Sequence, residues 1–347
     1  MATAWPVDLD SRKVVRFIDL FCGIGGFHVA VDQVGASHGL LAECVFASDI
    51  DEDCMKAYQA NFGLLPAGDI TKISEPDIPD HDILFAGFPC QAFSICGDRR
   101  GFEDSRGTLF FDVARILDEK RPAAFVLENV KQLATHDGGR TLSTIMRILG
   151  QLGYQAEWRI LNALDYGVPQ KRERTLIVGF REPAVFEWPA GGIPMRPLSE
   201  ILEAEVPEFY WASSRIRSSR LASREGKAVF DEPTIWHENK SGNISAYPFS
   251  CAMRAGASYN YLLVNGERRL TEREMLRLQG FPEWFKIVCG YSATRRQAGN
   301  SVAVPCVAAV VDSVVSALRI AADRSKRSEL AILQRRLIES GVEYRAS

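Results

Sequence analysis

Between residues 14 and 180 the chain alternates short apolar runs with segments of helical periodicity. Residues 14–21, 43–48, 82–86, 123–127, 156–161 and 175–180 read as strands; 27–34, 52–61, 109–119 and 141–149 read as helices between them. The strand runs are continuously apolar and not alternating, which predicts a sheet covered on both faces. The expected fold class is therefore α/β, a doubly wound and mostly parallel sheet. Such folds bind ligands beyond the carboxyl ends of their strands.

After residue 180 the rhythm breaks. Pro183, Pro189, Pro194, Pro197 and Pro207 interrupt the chain, and helical periodicity stays poor until about Leu270. Thr271-Glu272-Arg273-Glu274 then has the pattern of a capping box. Residues 302–320 predict a buried apolar helix, and 322–340 a charged amphipathic closing helix. The expected organisation is a first domain over 14–181, a small loop-rich and partly β domain over 182–267, and a return to the first domain over 268–347.

The net charge of −3 does not mark the whole chain as a nucleic-acid binder. From Trp211 to Leu270, however, nine lysines and arginines stand against five acidic residues, interleaved with Tyr247, Tyr259 and Tyr261. No membrane span or signal-peptide pattern stands out, so a cytoplasmic location is expected. Cys22, Cys44, Cys54, Cys90, Cys96, Cys251, Cys289 and Cys306 are scattered without a Cys-x-x-Cys pair. That spacing argues against a metal site or a disulfide framework.

Two strands end in chemistry. One runs into Phe88-Pro89-Cys90-Gln91 and another into Glu128-Asn129-Val130, placing a thiol and a carboxyl group at one sheet edge. A nucleophile beside an acid suits attack on an electron-poor ring such as cytosine. At the same edge, Phe21-Cys22-Gly23-Ile24-Gly25-Gly26 forms a glycine-rich turn into a helix. Its Gly-x-Gly-Gly spacing is not the dinucleotide fingerprint, so a ligand smaller than a dinucleotide is expected. Asp49 ends the next strand where ribose hydroxyls would lie, Asp51 reads as a helix N-cap, and Asp69 is placed to accept from an adenine amino group.

Taken together these blocks resemble the DNA (cytosine-5) methyltransferases, in particular the small bacterial enzymes of restriction-modification systems. The resemblance rests on 17–27, 87–94, Asp104-Ser105-Arg106-Gly107, Glu128-Asn129-Val130, Gly167–Arg174, Gln279-Gly280-Phe281-Pro282 and Gly299-Asn300-Ser301-Val302. They follow the family's order and cover nearly the whole chain outside about 182–262. The resemblance implies S-adenosyl-L-methionine as methyl donor, held by Phe21, Gly23, Gly25, Asp49, Ile50, Asp69, Ile70, Leu109, Asn300, Ser301 and Val302. Asp49 is shorter than the glutamate common at that position, and Cys22 and Cys96 stand where many members have alanine and serine.

It also implies a catalytic group of Cys90, Gln91, Glu128, Arg172 and Arg174. Carbon 5 of cytosine is too weak a nucleophile to take a sulfonium methyl directly. Addition of the Cys90 thiolate to carbon 6 would activate it, Glu128 would hold or protonate ring N3, and the arginines would offer fork-like donors to the base carbonyl or a phosphate. A base inside a duplex cannot present carbon 6, so it must be flipped out. The polar loop 91–106 suits closure behind it, with Ser94, Arg99, Arg100 and Arg106 toward the DNA. Gln170 and Arg254 complete the expected DNA contacts, with Asn243 and Asn260 as further base readers. The expected partner is double-stranded DNA, with a cognate restriction endonuclease that shares the site but need not bind this protein; the expected state is a monomer.

Rivals fare worse. A zinc deaminase needs Pro-Cys-x-x-Cys, and Phe93 occupies the second cysteine position. An exocyclic-amine methyltransferase needs no thiol and usually shows an Asp/Ser-Pro-Pro-Tyr step, which is absent. The tRNA-methylating branch of the family carries a Cys-Phe-Thr step, also absent. A non-catalytic DNA-binding relative would not need Cys90, Glu128, Arg172 and the glycine turn together.

Overall fold

The computed structural model describes residues 7–89, 109–224 and 232–339, with the side chains of 329 and 331–339 excepted. A short helix α1 (Leu9–Arg12) leads into β1 (Val14–Leu20), α2 (Gly26–His38), β2 (Leu41–Ser48), α3 (Glu52–Phe62) and β3 (Ile83–Ala86). After the undescribed 90–108 come α4 (Phe110–Lys120), β4 (Ala124–Val130), α5 (Arg140–Gln151), β5 (Gln155–Asn162), β6 (Gln170–Lys171) and β7 (Glu173–Phe180). These strands, β6 apart, form a six-stranded sheet in the order β2-β1-β3-β4-β7-β5. The first four are mutually parallel; β7 runs antiparallel to both β4 and β5.

The continuous apolar runs have their predicted cause. Every residue of β3 is buried, and so is β4 through Asn129, because helices cover both faces. Phe17, Phe85 and Val126 join α2 and the C-terminal helix in one core. Ile18, Leu84 and Leu127 join α4 and α5 in the other. At Gly179 a side chain would overlap the Phe125 ring at 2.2 Å, so the β4–β7 pairing requires glycine there.

Beyond β7 the chain carries α6 (Ser214–Ala222), β8 (Ile235–Glu238), β9 (Ile244–Tyr247), β10 (Ser250–Cys251) and β11 (Leu262–Val264). The antiparallel set β11-β8-β9 makes a small sheet, while β10 pairs in parallel with β6. The chain returns through α7 (Glu272–Leu278), whose Thr271–Glu274 capping box is fully formed, and α8 (Tyr291–Asn300).

One expectation is corrected. Residues 302–320 and 322–340 do not form two helices: α9 runs unbroken over Val304–Glu339. The intervening Ala321 and Ala322 are strong helix formers, so nothing stops the helix there. Within Tyr291–Ser328 one window is long and apolar enough to cross a bilayer, but most of that window is buried inside the protein.

Candidate active site

Glu128 and Asn129 lie at the carboxyl end of β4, opposite Leu176 and Thr175 of β7. Glu128 is 9% exposed, and Arg174 Nε meets its Oε1 at 2.8 Å. A carboxylate taken this far from water needs such a partner. The pairing occurs because Arg174 sits across from Val130, one residue past the buried part of β4. Carboxyl and guanidinium groups side by side form a mixed acceptor and donor edge, complementary to the ring nitrogen, amine and carbonyl of a pyrimidine.

Asn129 builds the neighbouring wall. Its Nδ2 donates to the Phe88 carbonyl at 2.9 Å, and its Oδ1 accepts the Val130 N–H. This fixes the chain two residues before Cys90. Cys90 itself, with Gln91, Ser94, Cys96, Arg99, Arg100 and Arg106, lies outside the described residues. In the sequence Asn129 is visible only as the middle of Glu128-Asn129-Val130; its signal is an amide following the acid on a buried strand.

Two expected contacts are corrected. Arg172 was expected to face a base or phosphate, but it is 2% exposed and donates to the main-chain carbonyls of Met253, Gly299 and Ser301. Burial pulls its guanidinium down to about 9, still cationic at neutral pH. Gln170 was expected on the DNA, but it is fully buried, donating to Leu278 O and Gln279 Oε1 and accepting from Met253 N. Polar side chains in a polar motif read as surface groups; here the polar partners are main-chain atoms of the returning chain.

At the glycine turn, Asp49 accepts from Gly23 N at 2.8 Å and from Asp51 N at 2.9 Å. Burial pushes its carboxyl up, against those hydrogen bonds. Gly23 has φ +53° with open space above its Cα, Phe21 shares the left-handed region at φ 55°, and Ile50 is 75% exposed beside them. Asp51 caps α3, as its spacing predicts. Gly26 admits the returning chain: a side chain there would meet Val302 Cγ2 at 2.6 Å and Ser301 Oγ at 2.9 Å. So 21–26, 49–50 and 301–302 converge, with exposed Asn300 at the end of α8 and half-buried Leu109 just before α4.

Gly25 and Ile70 differ from expectation. The space at Gly25 is filled by Phe62 and Tyr58 rings, so that glycine serves packing and not ligand approach. Ile70 is buried in the core and its carbonyl accepts from Arg115, so its side chain and carbonyl are already engaged. Asp69 is partly exposed and engaged in capping Thr71.

Asp19 was missed. It is fully buried on β1 beneath the turn, and neither carboxyl oxygen has a hydrogen-bond partner. Burial, reinforced by Asp49, pushes its pKa well up. The signal was an acid inside an otherwise apolar strand.

Arg254 is exposed, with its guanidinium 4.9 Å over the Tyr261 ring. Asn243 is exposed as well, while Asn260 lends its carbonyl to Arg220.

The family model described as C-5 cytosine-specific DNA methylase matches residues 15–316. The chain belongs to that family. It is a DNA cytosine-5 methyltransferase, and its substrate is DNA. The chain is 53% identical to Type II methyltransferase M.NgoBI of Neisseria gonorrhoeae over 85% of this chain and 91% of that one. It is 50% identical to M.HaeII of Haemophilus aegyptius, covering 89% and 95%. M.HhaI of Haemophilus parahaemolyticus is 39% identical over 88% and 95%. Among solved structures, S. pombe Dnmt2 has a TM-score of 0.62 at 21% identity over 86% of this chain and 97% of its own, and Entamoeba histolytica EhMeth 0.64 at 20% over 87% and 98%. At that identity they bear on the fold alone, which is that of this methyltransferase.

Proposed function

We propose that this methyltransferase acts on one cytosine of a short DNA sequence, flipped out of the duplex and held as a covalent Cys90–carbon 6 adduct, within a restriction-modification system. The observation that carries the reading is the buried Glu128–Arg174 pair beside the Asn129–Phe88 anchor, two residues from Cys90. Glu128 holds ring N3 and Arg174 the adjacent carbonyl. Cys90 adds to carbon 6, carbon 5 gains the methyl, and loss of the C5 proton with elimination of the thiolate restores the ring.

The methyl donor is S-adenosyl-L-methionine, which supplies an electrophilic methyl on a sulfonium when bound. The residues fit such a cation: the carboxyl groups of Asp19 and Asp49 underlie the open turn at Gly23, and exposed Ile50 offers an apolar face to a purine. Phe21, Gly23, Asp49, Ile50, Ser301 and Val302 would hold it. Residues 182–267 are read as the target-recognition domain, with Arg254 toward the bases. The names of the 53% and 50% identical relatives, both Type II methyltransferases, support the restriction-modification setting. In this reading the enzyme is a cytoplasmic monomer, and a cognate endonuclease shares its site.

Base-resolution bisulfite sequencing of DNA from cells without cytosine methylation, expressing this protein or Cys90→Ser, tests the reading. One short recurring methylated site, lost in the variant, is expected. An unmethylated genome with soluble protein present would overturn it.

A further inference from the structure

The Met253 peptide is gripped from both sides. Its N–H donates to Gln170 Oε1 at 3.1 Å, and its carbonyl accepts from Arg172 Nη1 at 3.3 Å. Arg172 then reaches past it: Nη2 donates to Gly299 O at 3.2 Å and also to Ser301 O. Gln170 Nε2 donates to Gln279 Oε1 at 3.2 Å, and Gln279 Nε2 in turn donates to Ala298 O. Arg172 thus bonds both segments directly, while Gln170 and Gln279 join Met253 to Ala298 through the hydrogen bond between them.

The contact between the segments is also direct. A side chain at Gly299 would lie 2.6 Å from Ala255 N and 3.0 Å from Arg254 C. Arg295 of the same helix donates to Ala257 O at 2.8 Å. Gln170 and Gln279 are fully buried and Arg172 and Met253 nearly so, so no water can replace a broken bond. If Met253 shifts, Arg172 must give up a carbonyl or swing its planar fork, and the bonds to Gly299 and Ser301 shift with it.

We propose that Gln170, Arg172 and Gln279 are positioning residues that couple the DNA-reading loop 253–257 to the cofactor segment 300–302, so that filling either site tightens the other. This rests on the reading of those two segments given above. Coupling is reciprocal by linkage: the factor by which DNA tightens cofactor binding equals that by which cofactor tightens DNA binding.

The test measures S-adenosylhomocysteine affinity of the full chain by calorimetry, alone and with a duplex carrying the site mapped by bisulfite sequencing. Wild type should bind more tightly with the duplex, by a factor on the order of 5- to 150-fold. In Arg172→Lys and Gln279→Met the factor should fall toward one while each ligand still binds. A merely structural role would weaken both affinities and leave the factor unchanged, which overturns the proposal.

Hydrogen exchange on the wild type needs no variant to fold. S-adenosylhomocysteine without DNA should slow exchange at the Met253 amide, and an unaltered Met253 amide overturns the coupling. Failure of wild type to bind S-adenosylhomocysteine at all sinks the underlying cofactor reading, and the coupling with it.

Discussion

Arg174 meets the Glu128 carboxylate at 2.8 Å across the β4–β7 ladder, with both side chains largely removed from water. The arginine neutralises a buried acid, and in the proposed mechanism its remaining donors also face the base. Arg174→Lys keeps the charge but loses the fork. Glu128→Gln removes the group that the proposed mechanism assigns to ring N3. Single-turnover methyl transfer should slow by about 10²- to 10⁴-fold for Glu128→Gln, and measurably for Arg174→Lys. Wild-type rates in either variant would remove that residue from the chemistry.

Asn129 is 2% exposed and anchors the Phe88 carbonyl. In Asn129→Ala that carbonyl is left without its partner, at a cost of about 1–3 kcal/mol. Denaturant unfolding should show that loss. Methyl transfer should fall further than stability explains at temperatures where the variant is folded, because the chain leading into Cys90 is released at Phe88.

Gly26→Ala drives a methyl group into Val302 and Ser301. Overpacking of this kind costs about 1–3 kcal/mol, and S-adenosylhomocysteine affinity should fall with it. Gly179→Ala is the control, since its clash is with Phe125 inside the sheet. It should lower the melting temperature while the folded fraction binds S-adenosylhomocysteine as wild type does.

His81 is buried, and burial lowers its pKa from 6.5 to about 4. Below pH 6.5 the unfolded chain takes up a proton that the folded chain refuses. Its contribution to stability is therefore full above pH 6.5 and is lost as pH falls through 6.5 toward 4. The stability difference between wild type and His81→Gln should shrink over that window by up to about 1.4 kcal/mol per pH unit. Taking the difference cancels oppositely signed groups such as Asp19 and Asp32, whose pKa values are raised. A pH-independent difference would show that His81 is not held neutral.

The central sheet was legible because period and burial are local properties: β3 and β4 are apolar throughout, and the turns between elements carry glycine and proline. Glu128 and Asp49 were legible because a strand end places a side chain at the ligand edge whatever surrounds it. Gln170, Arg172 and Gly25 were misread for one reason. A motif shows residue type, and these roles depend on which distant atoms arrive: Met253 and Ser301 for Arg172, Phe62 for Gly25. The unbroken α9 was missed because a change from apolar to charged composition resembles a boundary when no breaker is present to make one.

The most direct measurement is covalent trapping on a duplex carrying the mapped site with 5-fluorocytosine at the target position. Fluorine cannot leave carbon 5 as the proton does, so elimination is blocked after methyl transfer. Wild type with S-adenosyl-L-methionine should form a denaturant-resistant protein–DNA complex whose mass includes one added methyl group, with the crosslink mapping to Cys90, and Cys90→Ser should form none. A wild-type protein that methylates the ordinary duplex but leaves no adduct, or an adduct that persists in Cys90→Ser, would contradict the mechanism.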